Sequence, residues 1–460
     1  YIIGIDLGTT NSAVTYIDLV LNQERSSPVI HHFEIPQITG SGETSKAKVL
    51  PSFLYLPGPH EFPVDALALP WNKANKAGFV GILAREQGAK SPNRMISSAK
   101  SWLCHEKVDR HAPILPWSAD DPAQKRSPIT VTSAYLKHIK DAWNHHVGED
   151  ESEWLENQSV VITVPASFDE VARDLTVEAA TKAGIPNITL LEEPLAAFYS
   201  WLNINEQKWD QLVSPGELIL ICDVGGGTTD FTLITLHEKD GKPVFERIAV
   251  GDHLILGGDN MDLALAHLSE GRLQGEQKKK LSMGRWQSLC NQCRQAKEDI
   301  LGELEDEKTI TLIGEGRKLI ADTKTSKLNR SDVEAVILDG FFPLVSPDEL
   351  LDLKPRQGMT EFGLPYAQDP AITRHLIRFL EQHREDLKET LDRDSIEPDL
   401  IMFNGAALKP AILQERIRAA VSKRFHGTED SPPRMLVNPD LDIAVALGAS
   451  YYGRVRKGYG

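Results

Sequence analysis

The 460-residue chain is 41% hydrophobic and 25% charged, an ordinary soluble globular composition with room for about two to four domains. Acids outnumber bases 66 to 50, a net charge of -16, which argues against binding nucleic acid or an anionic membrane, because phosphate neutralisation needs clustered cations. No apolar run approaches the roughly 20 residues that span a bilayer, and the four cysteines make no disulfide framework for a chain this long, so the expected location is a reducing cytoplasm.

The chain opens "YIIGID", already in strand pattern, with no basic signal-like segment and no initiator Met, which reads as a trimmed start. Residues 22–48 and 105–128 are polar and rich in Pro, Gly and Ser and are expected to be loops. "SVVITVP" (159–165) reads as a buried strand. "FDEVARDLTVEAATKAG" follows as a helix, with Val171, Leu175, Ala179 and Ala183 at four-residue intervals on one face. Asp169 is its N-cap, and Gly184 with Pro186 is its stop. "ITLLEE" is the next strand, and Pro194 suits the first turn of the helix after it.

"LILICDVGGGTTDFTLI" (218–234) is two apolar strands around a glycine turn. Lys278, Lys279 and Lys280 read as a solvated helix end. Cys290 and Cys293 have metal-like spacing but no second pair, and "RWQSLCNQCRQAKEDIL" around them reads as a packed helix. Residues 345–373 have no firm pattern; an insert with a binding role and a packed excursion both stay open. "DLIMFNG" to "KPAILQERIRAAVSKRF" is strand, glycine turn and helix, and "DLDIAVALGASYYGRV" is a last helix. This alternation predicts an α/β fold.

One pattern occurs twice. "YIIGIDLGTTNSAVTYI" and "LILICDVGGGTTDFTLI" both run from an apolar strand through an acid (Asp6, Asp223) and a small-residue turn into a second strand. A turn stripped of bulky side chains lets consecutive backbone N–H groups approach a phosphate, and threonine hydroxyls add donors. A carboxylate at the strand end can hold Mg²⁺ through the waters that ion retains. One such turn alone is equally a structural hairpin; two matched turns favour phosphate binding in a cleft between two related halves. Neither the G-x-x-x-x-G-K-[ST] loop nor a strand-to-helix G-x-G-x-x-G occurs. Glu193, at a strand-to-helix junction, suits an active-site acid as well as an exposed first-turn acid.

Taken in order, "IGIDLGTTNSAV", "VVITVPASFDEVARDLTVEAATKAG", "LLEEPLAA", "CDVGGGTTDFTL" and "LGGDNMDLAL" resemble the ATPase domain of DnaK-type heat-shock chaperones, in the actin-like ATPase superfamily. "VLPSFLYL" and "VGILAREQ" fall where that family has similar segments. The resemblance implies an actin-like ATPase fold: two similar lobes, each a mixed sheet flanked by helices, with a nucleotide cleft between them. It places the first lobe at 1–213 (outer part about 36–132), the second at 214–437 (outer part about 257–327), and a last helix at 438–460 returning to the first.

It also implies roles, with ATP or ADP and Mg²⁺ as the bound groups. Asp6 and Asp223 would lie around the metal; Gly8, Thr9, Thr10 and Asn11 on the β-phosphate side; and Gly225, Gly226, Gly227 and Thr228 on the γ-phosphate side. Glu193 and Asp223 would place the attacking water. Gly257, Gly258 and Asp259 would lie near the ribose or phosphates, and Asp442 near the nucleotide. The family's phosphate-reaching lysine falls on Arg85, a planar fork in place of a point charge.

The base end departs further: "CRQAKEDIL" keeps Lys297 but has Arg294 and Glu298 at the family's acid and arginine positions, and "FNGAALKP" keeps Gly405 with Asn404, Ala406 and Leu408 around it. Weaker or less base-selective nucleotide binding is expected. The chain stops at "YYGRVRKGYG", where the family continues into a linker and a polypeptide-binding domain. An excised domain and a protein relying on a partner chain both fit. The leading expectation is a slow ATPase whose lobes rotate with nucleotide state, serving a polypeptide client through that missing part, with a J-domain co-chaperone or exchange factor as further partners. The alternatives are a nucleotide sensor with little turnover and a small-molecule kinase or phosphatase of the same fold.

Overall fold

Two antiparallel hairpins organise the fold, and each sits in the middle of its own mixed sheet. The computed structural model describes residues 1–22, 27–63, 65–73, 77–105, 107–117, 119, 121–239, 242–275, 281–314, 323–349, 357–361 and 364–458. The first sheet contains β1 (Ile2–Leu7), β2 (Asn11–Ile17), β3 (Ile30–His32), β4 (Leu50–Pro51), β5 (Ser159–Val164) and β6 (Ile188–Glu192). Its order is β6-β5-β1-β2-β3, with β4 pairing the start of β2. The second contains β7 (Leu218–Val224), β8 (Thr229–Lys239), β9 (Lys242–Val250), β10 (Leu400–Asn404) and β11 (Arg434–Leu436), in the order β9-β8-β7-β10-β11.

The sheets share one topology. β1 pairs antiparallel with β2 and parallel with β5, which continues parallel to β6. β7 pairs antiparallel with β8 and parallel with β10, which continues parallel to β11. The weak sequence repeat is therefore a structural repeat. All seven residues of β7 are buried, as expected of a central strand covered on both faces, whose side chains read as a continuous apolar run.

Helices cover these sheets. Those that bear on the site are α1 (Ile82–Lys90), α2 (Ala99–Leu103), α3 (Pro128–His146), α4 (Glu170–Lys182), α5 (Glu193–Ile204), α6 (Gly258–Gln274), α7 (Met283–Leu301), α8 (Ala411–His426) and α9 (Ala444–Arg456). α9 packs on β1, β2, β5 and α5, and Thr15 Oγ1 of β2 donates to the Ala446 carbonyl at 2.7 Å. A core of Ile219, Ile221, Ile234 and Met402 from the second sheet with Val161, Phe198, Trp201 and Val445 joins the lobes. At about 1.5–3 kcal/mol for each large apolar side chain buried, this shared core makes the sheets one body at their base. Farther out, α1 touches α7.

Several expectations need correction. Residues 22–48 are not all loop: β3 and a hairpin of Ile35–Gly40 with Glu43–Ala47 form there. In α4, Leu175, Ala179 and Ala183 are buried but Val171 is 53% exposed. Four-residue steps drift about 40° each on a helix of about 3.6 residues per turn, so Val171 and Ala183 do not share one stripe. Asp169 does cap α4, accepting from the Ala172 N–H at 2.7 Å, and Gly184 follows it with φ +85°. Within 345–373, Gln357–Glu361 pairs with Leu364–Ala367. Lys278, Lys279 and Lys280 lie outside the described residues. Cys293 packs in the core of the second lobe on α7, with its Sγ 3.6 Å from Ser269 Oγ. Among the described residues no helix is long and apolar enough to cross a membrane.

Candidate functional site

The hairpin turns face each other. A Cβ on Gly226 would fall 2.0 Å from Thr10 Oγ1, and one on Gly227 would fall 3.0 Å from Thr9 Cγ2. Only a residue without a side chain lets the two turns come this close. Each turn is braced from outside. Ser52 donates its Oγ to the Gly8 carbonyl at 2.8 Å and its N–H to Thr10 O at 2.8 Å. The Gly225 and Gly226 carbonyls accept the Gly258 N–H at 3.0 Å and the Asp259 N–H at 2.7 Å. The start of α6 thus spends these donors on the glycine turn, and an Asn260 capping box closes on the Gly257 N–H at 2.8 Å.

Four charged groups meet beside the turns. Asp6, next to last in β1, accepts from Thr163 Oγ1 at 3.1 Å. Asp223, next to last in β7, is 9% exposed and accepts from Asn404 Nδ2 at 2.6 Å. Gly405 makes that approach possible: it has φ +86°, and a Cβ there would lie 2.7 Å from Asp223 Oδ1. Glu193 opens α5 and is bonded to Lys100 Nζ. Lys100, 8% exposed, belongs to α2, whose five residues are all buried.

The electrostatics follow from burial and crowding. Burial pushes Asp223 up to about 7; its bond to Asn404 opposes this, and Asp230 and Asp6 add to it. Burial pushes Glu193 up to about 8, against Lys100 and with Asp6 and Asp223. Asp6 is raised by burial, against Lys100 and Thr163. Burial pulls the Lys100 ammonium down, but Glu193 and Asp6 more than offset it, so it is raised. Three acids thus share one cation; such carboxylates suit a divalent ion only through the waters that ion retains. The Asn404 Oδ1, buried and without a hydrogen-bond partner, adds a polar atom at the same spot.

Lys100 is the residue the sequence reading missed. Arg85 stands exposed on α1, and the cation beside the acids is Lys100. "MISSAKSWL" carried one signal: a lysine among small and apolar residues with no other charge, where burial of a lysine is rare unless the charge is paired.

The other expected residues divide. Gly8, Thr9, Thr10, Asn11, Gly225, Gly226, Gly227 and Thr228 all line the facing turns. At the far end Arg294 donates to Asp259 at 2.6 Å and to Asp262 at 2.7 Å. Lys297 donates to the Gly258 carbonyl at 3.1 Å and pairs with Asp262 at 2.7 Å. Asp442 pairs with Lys409 at 2.6 Å, and its neighbour Asp440 with Lys48. Ala406 is exposed in a short turn, Ala406–Leu408, after β10. Among the described residues no group of three or more His, Cys, Asp or Glu side chains is arranged to hold a metal ion directly.

The family described as Hsp70 protein matches residues 72–347, more than half of the chain. The chain belongs to the Hsp70 family. Its two mixed sheets with flanking helices are the actin-like ATPase fold of the Hsp70 family. A curated relative, "Chaperone protein DnaK" of Stenotrophomonas maltophilia (strain R551-3), is 27% identical over 478 residues, covering 99% of this chain and 60% of its own. The chain therefore spans 60% of the length of that relative. The Hsp70 match itself begins after the first turn and includes Lys100, Glu193 and the second turn.

Proposed function

We propose that the chain is an ATP-binding and ATP-hydrolysing domain of DnaK type, coupling nucleotide state to rotation of its lobes. The observation that carries this reading is the meeting of Asp6, Lys100 and Glu193 from the first lobe with Asp223 from the second beside two facing small-residue turns.

Phosphoryl transfer asks little covalent chemistry of a protein; positioning and electrostatics supply most of the rate. Backbone N–H groups of the first turn (Gly8, Thr9, Thr10, Asn11) and the second (Gly225, Gly226, Gly227, Thr228) would hold the phosphate oxygens. Asp6 and Asp223 would hold Mg²⁺ through its waters, and the bound metal supplies charge neutralisation on those oxygens. Lys100 takes Oε1 of Glu193, which leaves Oε2 to orient the attacking water. A carboxyl raised to about 8 is a base poised near working pH. Lys100 is the ammonium placed to meet the transferred phosphate, the task first assigned to Arg85. The sensor reading loses the support that an arginine there gave it.

Arg294 and Lys297, closed onto Asp259 and Asp262, support a ribose and base end of low selectivity. Asp442 and Gly257 would border it. Lobe rotation would report to a polypeptide-binding part, in the same protein or in a partner chain. A J-domain co-chaperone or exchange factor would act on the same rotation. A single-turnover assay of phosphate release from Mg·ATP tests the reading. Release above the buffer blank that disappears in Lys100→Ala is expected; release no faster than the blank would turn the domain into a nucleotide sensor.

A further inference from the structure

A second polar cluster spans the lobes beside the first. Asp230, on β8, is the register partner of Asp223 across the hairpin and is 6% exposed. Ser167, in the turn after β5, donates its hydroxyl to Asp230 Oδ1. His253 lies in the segment after β9. That segment is pinned along β8 by Gly251 N–H to Phe231 O at 2.9 Å and by Thr229 N–H to Leu254 O at 2.9 Å.

His253 Nδ1 is 2.8 Å from Ser167 Oγ and 3.3 Å from Asp230 Oδ1. Since Ser167 spends its one proton on Asp230, the Nδ1 must be the donor to Ser167. The imidazole Nε2 is buried with no hydrogen-bond partner. The Cys104 thiol, just past α2, lies beside the ring, and Phe168 meets it edge-on at 6.0 Å. Asp252 is the charged neighbour on His253's own segment. Asp230 is one of the acids whose charge acts on Asp223.

We propose that His253 is a positioning residue of the phosphate site: as an imidazolium it neutralises Asp230 and, through Ser167, ties it to the first lobe. Asp223 and the bound phosphates then face one bare negative charge fewer. The inference rests on the ATP reading above. Its support is geometric: a buried carboxylate directly across the hairpin from the proposed metal acid needs a counter-charge, and His253 is the ring the backbone bridges place against it. Burial pulls the His253 ring down, but Asp230, with Cys104 beside it, more than offsets that, so the ring is raised above the usual histidine range.

Calorimetric titration of the whole chain with Mg·ADP and with Mg·β,γ-imido-ATP tests this. His253→Asn keeps a donor but removes the charge; it should weaken imido-ATP binding about tenfold and ADP binding less. Adding Asp230→Asn should restore imido-ATP affinity to within about threefold of wild type, a coupling that a merely structural role does not produce. Unchanged affinity in His253→Asn, or losses that multiply in the double variant, would overturn the proposal. If His253→Asn does not fold, the imidazole ¹⁵N shifts of the wild-type chain decide: a ring protonated at both nitrogens at pH 7.5 (about one unit above the usual histidine value) is expected, and a neutral ring overturns it. Wild-type chain that binds neither ligand removes the ATP reading itself, a separate outcome from a silent His253→Asn.

Discussion

Lys100 Nζ donates to Glu193 Oε1 beside the two facing turns, joining the short helix α2 to the first residue of α5. With Asp6 and Asp223 both acting on this pair, every proposed role for the acids depends on one lysine.

Replacing that lysine should therefore be costly twice. Lys100→Ala leaves three buried acids without a cation; removing one partner of a buried pair costs about 3–5 kcal/mol. Loss of one preorganised stabiliser of transition-state charge lowers turnover about 10²–10³-fold. Thermal melts and single-turnover release measure the two effects separately. Arg85→Ala, altering an exposed residue of α1, should change neither by more than about 0.5 kcal/mol.

Acidity gives a second prediction, with its sign fixed by the raised carboxyls. Asp223 stands at about 7 and Glu193 at about 8, both above their unfolded values near 4. Such groups contribute stability that is fully present below about pH 4 and is lost as pH rises through about 7 to 8. The nucleotide-free chain should thus lose on the order of a few kcal/mol from these groups between pH 5 and 8. Mg·ADP, which needs the ionised forms, should bind more weakly at pH 6 than at pH 8 and release protons on binding. Calorimetry in two buffers of different ionisation enthalpy measures that release; proton uptake would contradict the assignment.

Turn contact supplies the third. In Gly226→Ala the new methyl would sit 2.0 Å from Thr10 Oγ1, so the turns must separate. Nucleotide affinity should fall at least about 100-fold, roughly 2.7 kcal/mol, while the distant sheet cores keep the fold. Gly284→Ala is the control: nothing lies within 4 Å of its added Cβ, and in a helix the change should stabilise by about 0.5–1 kcal/mol.

Base selectivity supplies the fourth. Arg294 is tied to Asp259 and Asp262, and Lys297 to Asp262, so the charges of these groups are paired with one another. ATP and GTP should bind within about tenfold of each other, a difference near 1.4 kcal/mol. Titration with ATP, GTP and inorganic triphosphate checks this; strong preference for adenine would contradict it.

What the sequence made legible was local. The two acids with their stripped turns lie in contiguous stretches, so their strands, glycines and pairing were readable from pattern alone. So were Asp169 as a cap and Pro194 in a first turn. Lys100 was not, because a five-residue helix is too short to show a period, and burial of its charge depends on acids that arrive from β1, α5 and β7. His253 was hidden for the same reason: the strand β8 that holds it in place is set by pairing, not by neighbours in sequence. The exposed strand Glu43–Ala47 read as loop because its side chains are polar and mostly face water. Asn404, expected near the nucleotide, spends its amide on Asp223, a task visible only once β7 and β10 lie side by side.

The central claim is that both turns grip one metal-bound nucleotide tail. Hydrogen exchange on the whole chain, with and without Mg·β,γ-imido-ATP, tests it most directly. Residues 6–11 and 223–228 should become protected together, only with Mg²⁺ present, and in neither segment of Asp6→Asn. Protection of one turn alone, or of neither, would contradict the account.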